Sequence, residues 1–194
     1  MAYYVGYVDV PHTSYDEWKS NTNGNGYNID GYYGCQCWDF ASLFWRNLGF
    51  PQGYPLITAS SAYTMWENRE SNISFNGVTY FDLIYTVNQI KKGDVIVFQN
   101  TLSNPYGHVG FADVDYDNWT PDPNYPYEFP ILSENNGGTP DPDGGAYVNV
   151  HGYDIRLFMG AFRYRNWIPQ PEEIKHKFPF VLYARKLRNR QMGL

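Results

Sequence analysis

Apolar residues recur at helical spacing from Phe40 through Leu43 and Phe44 to Leu48, and Gly49 follows as a stop. This pattern predicts a helix over about residues 37–48. Ser14-Tyr15-Asp16-Glu17 has the Ser-x-x-Glu form of a capping box and predicts a short helix after it. A further helix is expected over 62–68. The pattern then changes to short β-branched and aromatic runs. Strands are expected over 78–84, over 95–98 after the Lys92-Gly93-Asp94 turn, and over 108–114, 129–132, 146–150 and 157–164, with one more over 178–184. The Asn/Gly-rich stretch 21–28, the Pro- and acid-rich stretch 115–130 and the turn 139–145 read as loops. Helices first and an antiparallel sheet afterwards predict an α+β fold. Ile168-Pro169-Gln170-Pro171 reads as a linker, dividing a body of residues 1–168 from an extension, 169–194.

Composition narrows this picture. Aromatic residues make up 19% of the 194 positions, which excludes a disordered chain. Charged residues make up only 18%, too few for a coiled coil. The net charge of −6 is unevenly spread: residues 1–155 hold 5 basic and 18 acidic side chains, residues 156–194 hold 9 and 2. An acidic body argues against nucleic acid as partner and is compatible with a cation. The basic end suits an anionic polymer, a partner protein or the acidic body itself. No apolar run is long enough to span a bilayer, and Met1–Val10 lacks the form of a secretory signal.

Cys35 and Cys37, one residue apart, are poorly placed to pair with each other. Cys37 falls at the expected start of a helix, where free N–H groups and the dipole favour a thiolate. A nucleophile needs a base. Of the four histidines, His108 stands out, because Tyr106-Gly107-His108-Val109-Gly110 sets an imidazole at the head of an apolar strand, with flanking glycines leaving room for a substrate. Glu134 and Asn136 follow the apolar pair Ile131-Leu132 and, two apart, would share one face. Either could orient the imidazole.

Gly31-Tyr32-Tyr33-Gly34-Cys35-Gln36-Cys37-Trp38-Asp39-Phe40 resembles the nucleophile segment of the CHAP domains, the cysteine, histidine-dependent amidohydrolases/peptidases. Lys92-Gly93-Asp94, Gly107-His108-Val109-Gly110 and Ser133-Glu134-Asn135-Asn136 resemble that family's later motifs, in order, and Gly160–Tyr164 resembles the closing strand of its phage-encoded members. The resemblance implies a papain-like fold, with Cys37 as nucleophile, His108 as base, Glu134 as third member and Asn136 as a supporting polar group. Gln36 is a candidate oxyanion donor, and Cys35 is read as packing. Asn28, Asp30, Tyr32, Gly34 and Asp39 resemble the calcium loop of some phage members, so Ca2+ is expected there, with no organic cofactor. Asn28 in place of an acid should weaken that site. Zinc-ligand spacing is absent.

These readings together imply a peptidoglycan hydrolase, endopeptidase or N-acetylmuramoyl-L-alanine amidase, phage-encoded as a lysin or virion tail component and acting at the bacterial cell wall. Trp66, Tyr106 and Trp119 are the nearest aromatic candidates for lining its groove. The rival expectations are a non-catalytic virion or wall-binding protein that keeps the fold, and an intracellular cysteine protease.

Overall fold

The computed structural model describes residues 1–55, 61–137 and 139–167. The strand expected over 178–184 and the basic extension lie outside the described residues. In chain order the elements are β1 (Tyr3–Val5), α1 (Tyr15–Thr22), β2 (Gly26–Asn28), α2 (Cys37–Asn47), α3 (Thr64–Glu67), α4 (Arg69–Asn72), β3 (Ser74–Phe75), β4 (Val78–Thr79), β5 (Phe81–Ile84), β6 (Val95–Phe98), β7 (His108–Ala112), β8 (Glu128–Ser133), β9 (Asn149–Asp154) and β10 (Phe158–Tyr164). Six strands form one antiparallel sheet in the order β5-β10-β6-β7-β8-β9. This is the expected α+β architecture.

Ser14 caps α1 by accepting the Glu17 N–H, while the Glu17 carboxylate turns to Thr13 instead of closing the box on Ser14. The apolar stripe of α2 buries Phe40, Leu43 and Phe44 against Val95, Val97, Val109, Phe111 and Leu132 on one face of the sheet. The opposite face carries Ile96, Phe98, Ala112, Ile131 and Phe129. The period-two alternation of each strand thus sorts its residues onto two faces. Asp94 opens β6 and is almost fully buried, held by Arg163 of β10 at 2.7 and 2.8 Å and by the Lys91 N–H. The Gly-Asp strand entry is therefore a structural joint.

Four expectations are corrected. The single strand over 78–84 is two, β4 and β5, which belong to different sheets and part at Tyr80. The strand over 146–150 is displaced: β9 begins at Asn149, and Ala146 makes only an isolated bridge to Pro140. The single helix over 62–68 is two short ones, α3 and α4, meeting at Asn68. Part of the loop over 21–28 is strand β2, which pairs in parallel with β1 and lies wholly buried.

Candidate functional site

Cys37 is the first residue of α2, and Gln36 before it has extended backbone, φ −113°. Asp39, three residues on from Gln36, accepts the Gln36 N–H at 3.1 Å through Oδ2 and the N–H groups of Ile29 and Asp30 through Oδ1. One buried carboxylate so ties the helix start to the preceding loop. On the other side, Cys35 N–H donates to Gly144 O and to Asp141 Oδ2, both at 3.0 Å. A Cβ on Gly145 would stand 1.8 Å from Cys35 O, so this close approach requires glycine.

Helix α2 packs on β7, and the Cys37 sulfur meets the backbone N–H of Val109, the residue after His108. Cys37 and His108 line one cleft together with Trp38, Gln36, Asn104, Tyr106, Tyr33 and Asn135. Burial pushes the Cys37 thiol up to about 12, against the pull of the Val109 N–H, and pushes the His108 imidazole down to about 3. Burial thus favours the uncharged form of each group.

His108 Nε2 stands 3.0 Å from Ser133 Oγ. The ring of Tyr153 lies flat against the imidazole, centroids 4.5 Å apart and planes 13° apart. Glu134 does not meet the imidazole. Its Oε1 accepts the Tyr27 N–H at 2.5 Å, its Oε2 has no partner, and burial raises its carboxyl well above the usual range. Asn136 is half-buried and its Nδ2 is also unpartnered. The reason is strand parity. Ile131 belongs to the face opposite the helices, and Ser133 follows it at a spacing of two. Leu132 belongs to the helix face, and Glu134 follows it there to Tyr27. A one-residue change of register moves every side chain across the sheet.

Gln36 lines the cleft, but both ends of its amide are engaged: Nε2 donates to Tyr33 O at 2.7 Å and Oε1 accepts from Asn135 Nδ2 at 2.8 Å. In this geometry it braces the rim. Tyr33 and Asn135 are two of three non-glycine residues with positive φ among those described, at 63° and 53°. Of the aromatic candidates, Tyr106 is at the cleft and exposed. Trp66 is core, packed on Phe162, and Trp119 packs on Phe129. Gly107 has φ 68°, and a Cβ there would stand 2.6 Å from Phe98 O. Close packing, not substrate room, explains it.

The expected calcium donors run from the end of β2 at Asn28 through the connecting loop to Asp39 in the first turn of α2. Asn28 Oδ1 accepts the Gly31 N–H and Asp30 Oδ1 accepts the Tyr32 N–H, both at 2.8 Å. Asp39 is raised to about 7 by burial and then by the charge of Asp30. Two neighbouring carboxylates, an amide oxygen and the carbonyls of Tyr32 and Gly34 are all oxygen donors, the chemistry that suits Ca2+. Among the described residues no group of three or more His, Cys, Asp or Glu is arranged for a metal.

Ser133, Asn135, Asn104 and Tyr153 were not singled out by the sequence. Counting the β8 alternation from Ile131 would have found Ser133 and Asn135. No spacing pointed to Tyr153.

A cysteine at a helix start, packed on an antiparallel sheet that presents a histidine beside it, defines a papain-like α+β protein. The CHAP domain profile matches residues 14–120, and the chain belongs to that family. It is 39% identical over 103 residues to a D-alanyl-L-alanine endopeptidase of Streptococcus phage B30, a match covering 53% of this chain and 22% of that protein. It is similar in fold to the crystal structure of a wild-type endolysin, LysIME-EF1, with a TM-score of 0.52 and 22% identity over 77% of this chain and 63% of that one. The chain therefore spans less than two thirds of either relative.

Proposed function

We propose that the chain is a phage-encoded peptidoglycan hydrolase that cuts an amide bond of bacterial cell-wall peptide through Cys37 and His108. The observation that carries the reading is that these two side chains, from the start of α2 and the start of β7, line one cleft. The phage relative's name as an endopeptidase favours a peptide bond over the glycan–peptide junction.

In this mechanism the Cys37 proton passes to His108 as the sulfur attacks the substrate carbonyl carbon. The carbonyl oxygen becomes the oxyanion, and the Cys37 N–H, which as the first of α2 has no partner within the helix, would donate to it. His108 returns the proton to the leaving amine as the C–N bond breaks, which leaves a thioester. Water, deprotonated by His108, then attacks the thioester carbon, and the thiol and a carboxylic acid are released. The closed start of α2 depends on the loop 28–39. Ca2+ held by Asn28, Asp30, Tyr32, Gly34 and Asp39 would supply positive charge to a loop that otherwise sets Asp30 against Asp39.

The division at residue 168 and the attachment of the basic 169–194 segment to an anionic wall polymer or a virion protein belong to the same reading. Among the described residues no helix is long and apolar enough to cross a membrane.

The test is digestion of purified cell walls followed by mass spectrometry of the fragments. Clearing by the wild type, with new amine and carboxyl ends at one peptide bond, and none by a folded Cys37→Ala variant, is expected. Equal behaviour of both proteins would indicate a non-catalytic binding role. Cleavage of protein substrates with none of walls would indicate a protease of another kind.

A further inference from the structure

His108 is the base of the proposed reaction, and this inference rests on that reading. A base on a flat ring works only if the ring is held in one orientation, with the correct nitrogen toward the thiol. Three features hold it. Ser133 Oγ stands 3.0 Å from Nε2. Tyr153 covers one face of the ring at 4.5 Å, and its hydroxyl meets Asn104 Nδ2, which also donates to Gly107 O, directly before His108. Finally, Gly110 makes the space. A Cβ there would stand 2.9 Å from Ser133 Cβ and 2.8 Å from Ile131 Cδ1. The β7–β8 register pairs Phe111 with Leu132 and Ala112 with Ile131, so Ser133 falls opposite Gly110 and diagonal to His108.

We propose that Ser133 is the positioning residue of this site: its hydroxyl takes the Nε2–H of His108 and thereby leaves Nδ1 turned toward Cys37 as the proton acceptor. A hydroxyl in this place brings no charge. It accepts from the ring both when the imidazole is neutral and when it carries the Cys37 proton, so the ring stays oriented through the cycle. Tyr153 and Asn104 form the wall that stops the ring from turning away.

The experiment compares the wild type with Ser133→Ala and Ser133→Thr, and also with Tyr153→Phe and Tyr153→Ala. The first readout is the 15N resonances of the His108 ring, identified by their loss in His108→Gln; it needs no substrate. The second is the steady-state kinetics of wall clearing. In Ser133→Ala the Nε2 resonance is expected to move toward that of an unbonded nitrogen, and kcat to fall about tenfold or more with KM little changed. Thr, which keeps the hydroxyl, should restore both. Tyr153→Phe should keep the stack and the rate, while Tyr153→Ala should lose rate. An unchanged Nε2 resonance in a folded Ser133→Ala, or a rate equal to the wild type, overturns the assignment. If walls are never cleared but Nε2 still depends on Ser133, the hydrolase reading fails and the positioning role stands.

Discussion

The carboxyl of Glu134 accepts the backbone N–H of Tyr27 at 2.5 Å, and so binds the sheet to β2 on the face away from the imidazole. Its second oxygen is buried without a partner, and burial, with the charges of Asp39 and Asp141, holds its pKa well above the ordinary value. The folded protein therefore keeps a proton that the unfolded chain releases above about pH 4.5. The sign follows: stability from this group is present below that value and is lost as pH rises toward the folded pKa. Glu134→Gln keeps the shape and the Tyr27 bond. It should leave wall clearing within a few-fold of wild type and raise the Tm at pH 8 more than at pH 5. A collapse of activity without loss of fold would return Glu134 to the catalytic set.

The two side chains that share the cleft, Cys37 and His108, were legible in the sequence because each rests on a local signal. Cys37 follows from the periodicity of α2, and His108 from the apolar run of β7. The group that meets His108 was not legible, because it depends on which face of β8 each residue takes, and this is fixed by pairing with β7 rather than by local spacing. Ile131 and Leu132 are both buried, on opposite faces, so a pair of apolar residues gave no parity. The buried strand β2 was hidden by its composition: Asn25, Gly26 and Asn28 suggest a loop, and only pairing with β1 makes the segment a strand.

His108 behaves oppositely to Glu134. Burial lowers its pKa to about 3, so the folded ring stays neutral while the unfolded one takes a proton below about pH 6.5. Its contribution to stability is complete above about pH 6.5 and is lost as pH falls from there toward 3. Within that window the loss is at most about 1.4 kcal/mol per pH unit. Thermal melts of the wild type and His108→Gln between pH 4 and 8 should diverge only on the acid side, the wild type falling more steeply. Parallel curves would contradict a buried neutral ring.

Ca2+ should act on the segment that leads from β2 to Cys37 at the start of α2. Asp30 and Asp39 repel each other there, and a divalent ion would turn that repulsion into attraction. Saturation at about a hundredfold over Kd should add about 2.7 kcal/mol of stability. A chelator is expected to lower Tm and wall clearing together, with Ca2+ restoring both. Asp30→Ala should abolish the Ca2+ response while leaving a folded protein. A Tm indifferent to chelator and to Ca2+ removes the ion from the site.

Tyr33 places an exposed ring at the cleft from a left-handed backbone, φ 63°, and its carbonyl is held by Gln36. For a residue with a Cβ this conformation costs about 1–2 kcal/mol, and glycine adopts it freely. A strained, exposed residue contributes to stability only weakly, so the ring at the cleft mouth is the feature to test for a substrate contact. Tyr33→Gly should therefore leave Tm unchanged or raise it, yet raise KM for wall clearing, because an aromatic face is lost from the cleft. Tyr33→Phe, which keeps the face and loses only the hydroxyl, should stay near wild type. A drop in Tm for the glycine variant with KM unaltered would mean that the ring serves the fold rather than the substrate.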